Sequence, residues 1–244
     1  MFTTEHFIWI GLCAVFILLL TFISTSRKLT LKQAGYIMSI ICAASEISKI
    51  MTNMEKSSKG GSYLDPLALP LHLCSLLLFA VLFITFGKDG PVKQMIINFT
   101  AVAGSLGSVC AILIPTNGTD FLDIPAYQCF VYHAGLLWFA IYLIISRRAD
   151  LGLKAFGKNI VLLLSLVLAL LYANSFLSVY NTNFMYLVRP PMKNLPYLNL
   201  DGGWYAYFLK LIALGLVIIS LFHLPFIIAE RRRAAKEEKK DRAA

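Results

Sequence analysis

The sequence predicts an all-α polytopic membrane protein with seven transmembrane helices, the N-terminus outside and the C-terminus in the cytoplasm. Three observations lead to this prediction. Of the 244 residues, 58% are hydrophobic and only 14% are charged, which is more apolar surface than a soluble domain can bury. The apolar residues gather into seven long stretches. The basic residues lie mostly in alternate loops between those stretches, as the positive-inside rule requires.

Each apolar stretch has about the 20 residues that a helix needs to cross the hydrocarbon core of a bilayer. The N-terminal MFTTEHFIWIGL lacks the basic segment and the small-residue cleavage site of a signal peptide, so we expect the first span to be retained. Pro70 suits the first position of a helix and marks the expected start of span 3. The predicted spans cover residues 7–24, 34–54, 70–87, 95–114, 127–146, 158–180 and 204–229.

The distribution of lysine and arginine orients these spans. Sixteen of the 22 basic residues fall in the loops and tail on one side, and four fall in the loops on the other. The side with sixteen is expected to be cytoplasmic. We therefore predict a seven-helix transmembrane domain over residues 1–229, a basic cytoplasmic tail over 230–244, and a multi-pass location in the plasma membrane.

Composition also excludes several classes of function. The net charge of +9 follows the membrane topology and no base-reading motif accompanies it, so we expect no nucleic-acid partner. The five cysteines lie in apolar runs without CxxC or metal-ligand spacing, which argues against a disulfide framework and against a bound metal. We expect no cofactor, and the expected partners are membrane phospholipids.

Polar side chains from four spans are predicted to meet at one depth in the outer half of the bilayer. Helix rise places Cys74 roughly 6 Å and His133 roughly 9 Å below the outer ends of their spans. On span 2, Lys49 and Glu46 lie roughly 8 and 12 Å down, and Asn174 on span 6 lies about 9 Å down. Ionisable groups inside a bilayer are costly, so each is a candidate functional residue.

Each of these residues also has a structural interpretation. Glu46 and Lys49 have the i, i+3 spacing of an intrahelical ion pair. Asn174 is typical of hydrogen bonds between helices, and a membrane cysteine often packs as a small hydrophobe. A buried histidine such as His133 can simply bond to a neighbour.

His72 is close to Cys74 in sequence, in the stretch LPLHLCSLLLF. On a helix, side chains two residues apart point about 200° away from each other. The sequence therefore predicts that His72 and Cys74 do not share one small site, and that the partner of Cys74 is His133. Cys74 lies just past the first turn, where the helix dipole modestly favours a thiolate.

Four blocks together resemble a known family: LPLHLCS, the YH of FVYHAGL, NTNFMYLVRPP and WYAYFLK with the later HLPF. They are similar to the bacterial YwaF-like integral membrane family, in their order and spacing over most of the chain. That family is similar in turn to a eukaryotic transmembrane acyltransferase that moves fatty acyl chains between phospholipids. The resemblance implies a bacterial cell membrane and catalytic roles for Cys74 and His133.

The predicted function is an integral membrane acyltransferase, or lipid acyl hydrolase, that acts in the outer leaflet. His133 is expected to deprotonate Cys74, whose thiolate attacks a lipid ester or thioester. Substrate-binding roles are expected for Glu46, Lys49, His72, Asn174, Asn181, Asn183 and Arg189, with the asparagines as oxyanion donors and Arg189 on a lipid phosphate. The favoured interpretation of Arg189, however, is a solvated loop cation. The alternative function is a non-enzymatic lipid or solute carrier, or a membrane assembly protein, with a polar outer-leaflet cavity.

Overall fold

The computed structural model describes residues 2–56, 61–192, 195 and 197–242, with the side chains of Lys56, Lys239 and Lys240 excepted. In this part of the chain there are seven α-helices: α1 Thr4–Ser26, α2 Leu31–Thr52, α3 Leu73–Phe86, α4 Pro91–Leu113, α5 Ile124–Ile145, α6 Leu153–Phe176 and α7 Gly203–Asp241. Two three-residue strands, β1 Met54–Lys56 and β2 Ser62–Leu64, form an antiparallel hairpin between α2 and α3.

Six of these helices are long and apolar enough to cross a membrane, and they confirm the prediction of a multi-pass α-helical membrane protein. The exception is α3, which has 14 residues and is mostly apolar. At 1.5 Å per residue α3 is about 21 Å long, against a hydrocarbon core of about 30 Å. The count of seven complete spans and the orientation of the termini stay predictions.

The helix ends follow from local sequence. Thr30 and Gln33 form a capping box at the start of α2, in which each side chain bonds the backbone N–H of the other. Pro91 opens α4, where its fixed φ suits the first turn and its missing N–H costs nothing. The α7 helix continues without interruption past residue 229, so the basic tail begins as an extension of this helix.

Helix α5 is the centre of the bundle and packs against α1, α2 and α4. Trp138, Phe139 and Leu136 on α5 are fully buried. The approach of α4 is close because Gly104 has no side chain: a Cβ there would lie 3.3 Å from the Cβ of Ala140. Close contact through small residues is the packing mode expected of helices in lipid.

The remaining helices pack around this centre, with α3 lying against α2 and α4, and α6 lying between α4 and α7. We name the two ends of the bundle by their residues. The site end holds the start of α3 and the start of α5, and the basic end holds the start of α2 and the start of α4. Buried hydrogen bonds close each end, such as that of His6 to the Ile112 carbonyl at 2.9 Å at the site end.

Candidate functional site

A cavity of about 750 Å³ opens among α2, α3, α4 and α5 at the site end of the bundle. It gathers five of the residues predicted from the sequence, namely Glu46, Lys49, His72, Cys74 and His133. Its lining also includes Gln128, Cys129, Tyr132, Cys110 and Tyr186. Polar side chains from separate helices therefore converge at one level, although their chemical roles stay predictions.

The start of α3 differs from the prediction. Residues 66–68 form a turn of 3₁₀ helix, and Leu69 and His72 both have extended backbone angles, so α3 begins at Leu73. The prediction that Pro70 opens this helix is wrong. The Leu71 N–H donates to the Leu69 carbonyl at 2.7 Å, two residues back, so residues 69–71 form a tighter turn than a helix and the helix starts after it.

This later start also changes the position of His72. The predicted 200° separation assumed that His72 and Cys74 lie on one helix, and His72 lies outside it as the N-cap residue. The premise of that prediction is therefore wrong, and both residues line the same cavity of about 750 Å³, whereas their sharing of one small site stays untested. The His72 ring packs near the rings of Phe184 and Tyr186, at centroid distances of 5.6 and 5.5 Å.

The first turn of α3 faces the cavity with Leu73, Cys74 and Ser75. Within the described chain, His72 offers no side-chain cap to this turn. The N–H of Leu76 bonds the carbonyl of His72 at 2.9 Å. The three N–H groups before it belong to the orphan donors that every helix start exposes. They give the cavity a wall of positive partial charge beside the Cys74 thiol.

His133 is held in a defined tautomer on α5. Its Nδ1 lies 2.7 Å from the carbonyl oxygen of Cys129, one turn earlier. Because a carbonyl only accepts hydrogen bonds, Nδ1 carries the proton and Nε2 keeps a free lone pair. The Cys129 sulfur also lies 3.6 Å from Nδ1, but a protonated nitrogen cannot take a proton from it. Nε2 is therefore the ring nitrogen of a neutral His133 that can accept a proton.

Tyr132 fixes α5 against α3 at the level of Cys74. Its hydroxyl donates to the backbone carbonyl of Cys74 at 2.5 Å. Since His133 is the next residue on α5, this bond sets the height of the histidine relative to the cysteine. Tyr132 was missed in the sequence, although it precedes His133 directly and lies one turn after Gln128, another cavity residue.

Gly107 on α4 supports the thiol from the other side. A Cβ built at Gly107 would lie 3.1 Å from the Cys74 sulfur, closer than ordinary van der Waals contact. Gly107 thus leaves room for a side chain that lines the cavity, while Gly104 on the same helix serves close packing against α5.

Glu46 and Lys49 form an ion pair on α2, with 2.9 Å between Lys49 Nζ and Glu46 Oε2. The two interpretations of these residues are therefore compatible, because they neutralise each other and also line the cavity. On the same rim Gln128 donates to the hydroxyl of Ser45 at 2.7 Å, which joins α5 to α2. A zwitterionic pair in a cavity offers both signs of charge to a ligand.

The other four predicted substrate-binding residues lie outside the described lining and bond to the backbone of the segment after α6. Asn174 is buried, accepts from the Phe184 N–H at 2.8 Å and donates to the Phe184 carbonyl at 3.1 Å. Asn183 accepts from the N–H groups of Val188 and Arg189. The Arg189 guanidinium donates to the carbonyl of Asn181 at 2.7 Å. These groups hold the segment in place against α6.

The fold and the cavity define a polytopic α-helical membrane protein whose polar site lies inside the helix bundle, at the start of a shortened helix. The family model described as the TMEM164 family matches residues 1–223, and the chain belongs to that family. No curated protein and no solved structure matches it. The resemblance to the YwaF-like family and to an acyltransferase stays a prediction.

Proposed function

We propose that this protein is a membrane acyltransferase, or lipid acyl hydrolase, in which Cys74 carries the acyl group and His133 moves the protons. The observation that carries the proposal is the tautomer of His133, whose Nδ1–H is bound to the Cys129 carbonyl at 2.7 Å, so that Nε2 is a free base in a cavity that also contains Cys74. A nucleophile, a base and a group that orients the base form the usual arrangement for covalent catalysis.

In the first half-reaction His133 Nε2 takes the proton of the Cys74 thiol. The thiolate attacks the carbonyl carbon of a lipid ester, a C–S bond forms, and the carbonyl electron pair moves onto the oxygen. Collapse of this intermediate breaks the C–O bond, and His133 returns its proton to the departing lysolipid oxygen. The product is a thioester on Cys74, with atoms and charge conserved.

In the second half-reaction His133 deprotonates an acceptor hydroxyl, either that of a lysolipid or of water. The acceptor oxygen attacks the thioester carbonyl, the C–S bond breaks, and the thiolate regains the proton from His133. A lysolipid acceptor gives acyl transfer and water gives hydrolysis. The same base serves both halves, as microscopic reversibility requires.

The first turn of α3 supplies the oxyanion donors under this proposal. N–H groups at a helix start lie beside Cys74, and preorganised donors of this kind are each worth about 10²–10³-fold in rate. They replace the predicted donors Asn174 and Asn183, whose amides are bonded to backbone groups. The ion pair of Glu46 and Lys49 supports binding of a zwitterionic headgroup, with Lys49 toward the phosphate.

The test is covalent trapping in liposomes. Protein is reconstituted with a phosphatidylcholine that carries an alkyne-tagged acyl chain, and the tag is detected on the protein before and after neutral hydroxylamine, which cleaves thioesters. We expect hydroxylamine-sensitive labelling that disappears in Cys74→Ala. The matched controls are Cys110→Ala and Cys129→Ala, which remove the other cysteines of the same cavity and should keep the label. Undiminished labelling of Cys74→Ala would overturn the cysteine mechanism.

The role of the base is tested with His133→Asn, whose amide can replace the Nδ1–H donor but carries no basic nitrogen. General base catalysis contributes about 10²–10⁴-fold, so the labelling rate should fall by that factor at unchanged expression. Transfer to an added lysolipid is followed by mass spectrometry. A Cys74→Ala, His133→Asn double variant that still moves lipid between leaflets or vesicles at the wild-type rate would favour the carrier alternative.

A further inference from the structure

A second cavity, of about 550 Å³, lies at the basic end of the bundle, opposite the Cys74 cavity. It is formed by the start of α2, the end of α3, the turn between α3 and α4, and the turn after α5. Its polar lining residues are Thr30, Lys32, Thr85, Lys88, Asp89, Lys93 and Arg148. The proposed acyl chemistry does not use any of them.

The lining carries a clear excess of positive charge, with four cationic side chains against the single carboxylate of Asp89. That carboxylate is engaged by Lys93, whose ammonium lies 2.9 Å from Asp89 Oδ1 and also donates to the Gly87 carbonyl at 3.1 Å. The hydrogen bond from Lys93 lowers the pKa of Asp89 below its usual value. Within the described residues, Lys32, Lys88 and Arg148 form no salt bridge and are exposed at the rim.

The backbone around the cavity is held in place. Gln94 on α4 donates to the carbonyl of Arg148 at 2.8 Å and to the side-chain oxygen of Asn98 at 2.8 Å. The same Asn98 oxygen accepts from the N–H of Asp150 at 2.9 Å. The turn that carries Arg148 is thereby tied to α4. The backbone that carries Arg148 is therefore held at the cavity by hydrogen bonds, unlike the backbone of a cation on a flexible loop.

Helix α2 adds a directed field to these charges. It begins at Leu31, and both Leu31 and Lys32 line the cavity. Thr30 caps the N–H of Gln33, so the N–H groups of Leu31 and Lys32 are the ones left pointing beyond the helix start. A helix start with free N–H groups beside several cations is a suitable environment for a phosphate.

We propose that this cavity binds a phosphate group, either that of an anionic phospholipid headgroup or a soluble phosphate. A phosphate would accept from Arg148 in its planar, two-pronged geometry and from Lys32 and Lys88 as point charges. The positive-inside rule accounts for the side of the membrane on which these cations lie. It does not require them to surround one concave volume, as they do here. Binding here is independent of the acyl-transfer proposal.

The test measures stabilisation of the purified full chain in an uncharged detergent. Dioleoylphosphatidylglycerol, dioleoylphosphatidylcholine or inorganic pyrophosphate is titrated, and the melting temperature is followed to obtain a half-saturating concentration. We expect the phosphatidylglycerol or the pyrophosphate titration to saturate. Any stabilisation by phosphatidylcholine through the Cys74 cavity should be the same in the wild type and in the charge variants below, because those variants leave that cavity intact. Stabilisation by phosphatidylglycerol alone identifies a lipid headgroup site, and stabilisation by pyrophosphate identifies a site for free phosphate.

Charge removal locates the site. A cation beside a phosphate is worth about 1 kcal/mol, which is roughly fivefold in affinity, so Lys88→Gln should weaken binding about fivefold and Lys88→Gln with Arg148→Gln about 25-fold. The matched control, Arg231→Gln with Lys236→Gln, removes the same charge from the exposed end of α7 and should bind as wild type. Equal half-saturation in the cavity and control variants, or no saturation with either ligand, would overturn the proposal. Since Lys88 lies in an exposed turn, the single variant gives a result even where the double variant folds poorly.

Discussion

Asn174 is expected to stabilise the protein rather than to bind substrate, and Asn174→Leu separates the two roles. Leucine has a similar size but cannot bond to Phe184. The Phe184 N–H would lose its 2.8 Å acceptor in a buried place, at a cost of about 1–3 kcal/mol. The Phe184 carbonyl would lose the 3.1 Å amide donor but keep the Leu187 N–H at 3.3 Å, a further cost of about 1 kcal/mol. The expected loss is therefore roughly 2–4 kcal/mol.

The assay combines thermal unfolding in detergent with limited chymotrypsin digestion, whose products are mapped by mass spectrometry. Asn174→Leu should lower the melting temperature by several degrees and speed cleavage after Tyr186, because the segment that contains Tyr186 is no longer tied to α6. The control is Ser165→Ala on the same helix, which removes a hydroxyl bonded within α6, to the Val161 carbonyl. An Asn174→Leu protein that melts with the wild type and resists chymotrypsin equally, but no longer accepts the tagged lipid, would refute this reasoning and favour a substrate role.

Two further predictions concern the geometry around Cys74. Gly107→Ala places a methyl group 3.1 Å from the Cys74 sulfur, so the sulfur must move. The labelling rate should therefore fall while the melting temperature stays close to wild type. The control is Gly215→Ala, whose added methyl group meets no described atom within 4 Å, and equal labelling rates in the two variants would contradict the contact. Tyr132→Phe removes the hydroxyl bonded to the Cys74 carbonyl and should cost about 0.6–1.7 kcal/mol of stability together with a lower labelling rate. Tyr142→Phe removes a similar bond from α5 to the Leu29 carbonyl at the basic end, and it should cost stability without slowing labelling.

Much of the fold follows from hydropathy and length, because a bilayer requires long apolar helices whose backbone bonds are internal. Each of the seven predicted spans corresponds to a helix, and the ends agree to within about five residues except that α7 continues to Asp241 where the predicted span ends at residue 229. The start of α3 is the helix end that hydropathy could not predict. The apolar run continues from Leu67 through Phe86 with only brief polar interruptions, so hydropathy gives no sign that the helix begins at Leu73. That start depends on Pro66, Pro70 and the packing of the segment between them.

The sequence predicted the level of the candidate site residues along their helices, but not the direction in which each side chain points. Helix rise is constant, so residues counted from the span ends place Cys74, His133 and Lys49 at one level, and these three residues do line one cavity. The direction of His72 depends on the irregular backbone before α3. The bonds of Asn174 and Asn183 depend on a folded segment whose contacts no periodicity encodes. Residues on α2, α3 and α5 were therefore easier to place at the cavity than residues that contact the segment after α6.

The shortness of α3 has a consequence for how the two cavities respond to ionic strength. A helix of about 21 Å is about 9 Å shorter than a hydrocarbon core of about 30 Å, so we expect its positive start, with Cys74, to lie below the bilayer surface. Ions of added salt enter such a recess less readily than they reach an exposed rim, so we expect the field at Cys74 to be screened less by added salt. The cations around Arg148 are at the rim, where about 0.15 M salt screens charges beyond about 8 Å. Raising the ionic strength should therefore weaken phosphate binding at one end more than it affects the cysteine chemistry at the other end.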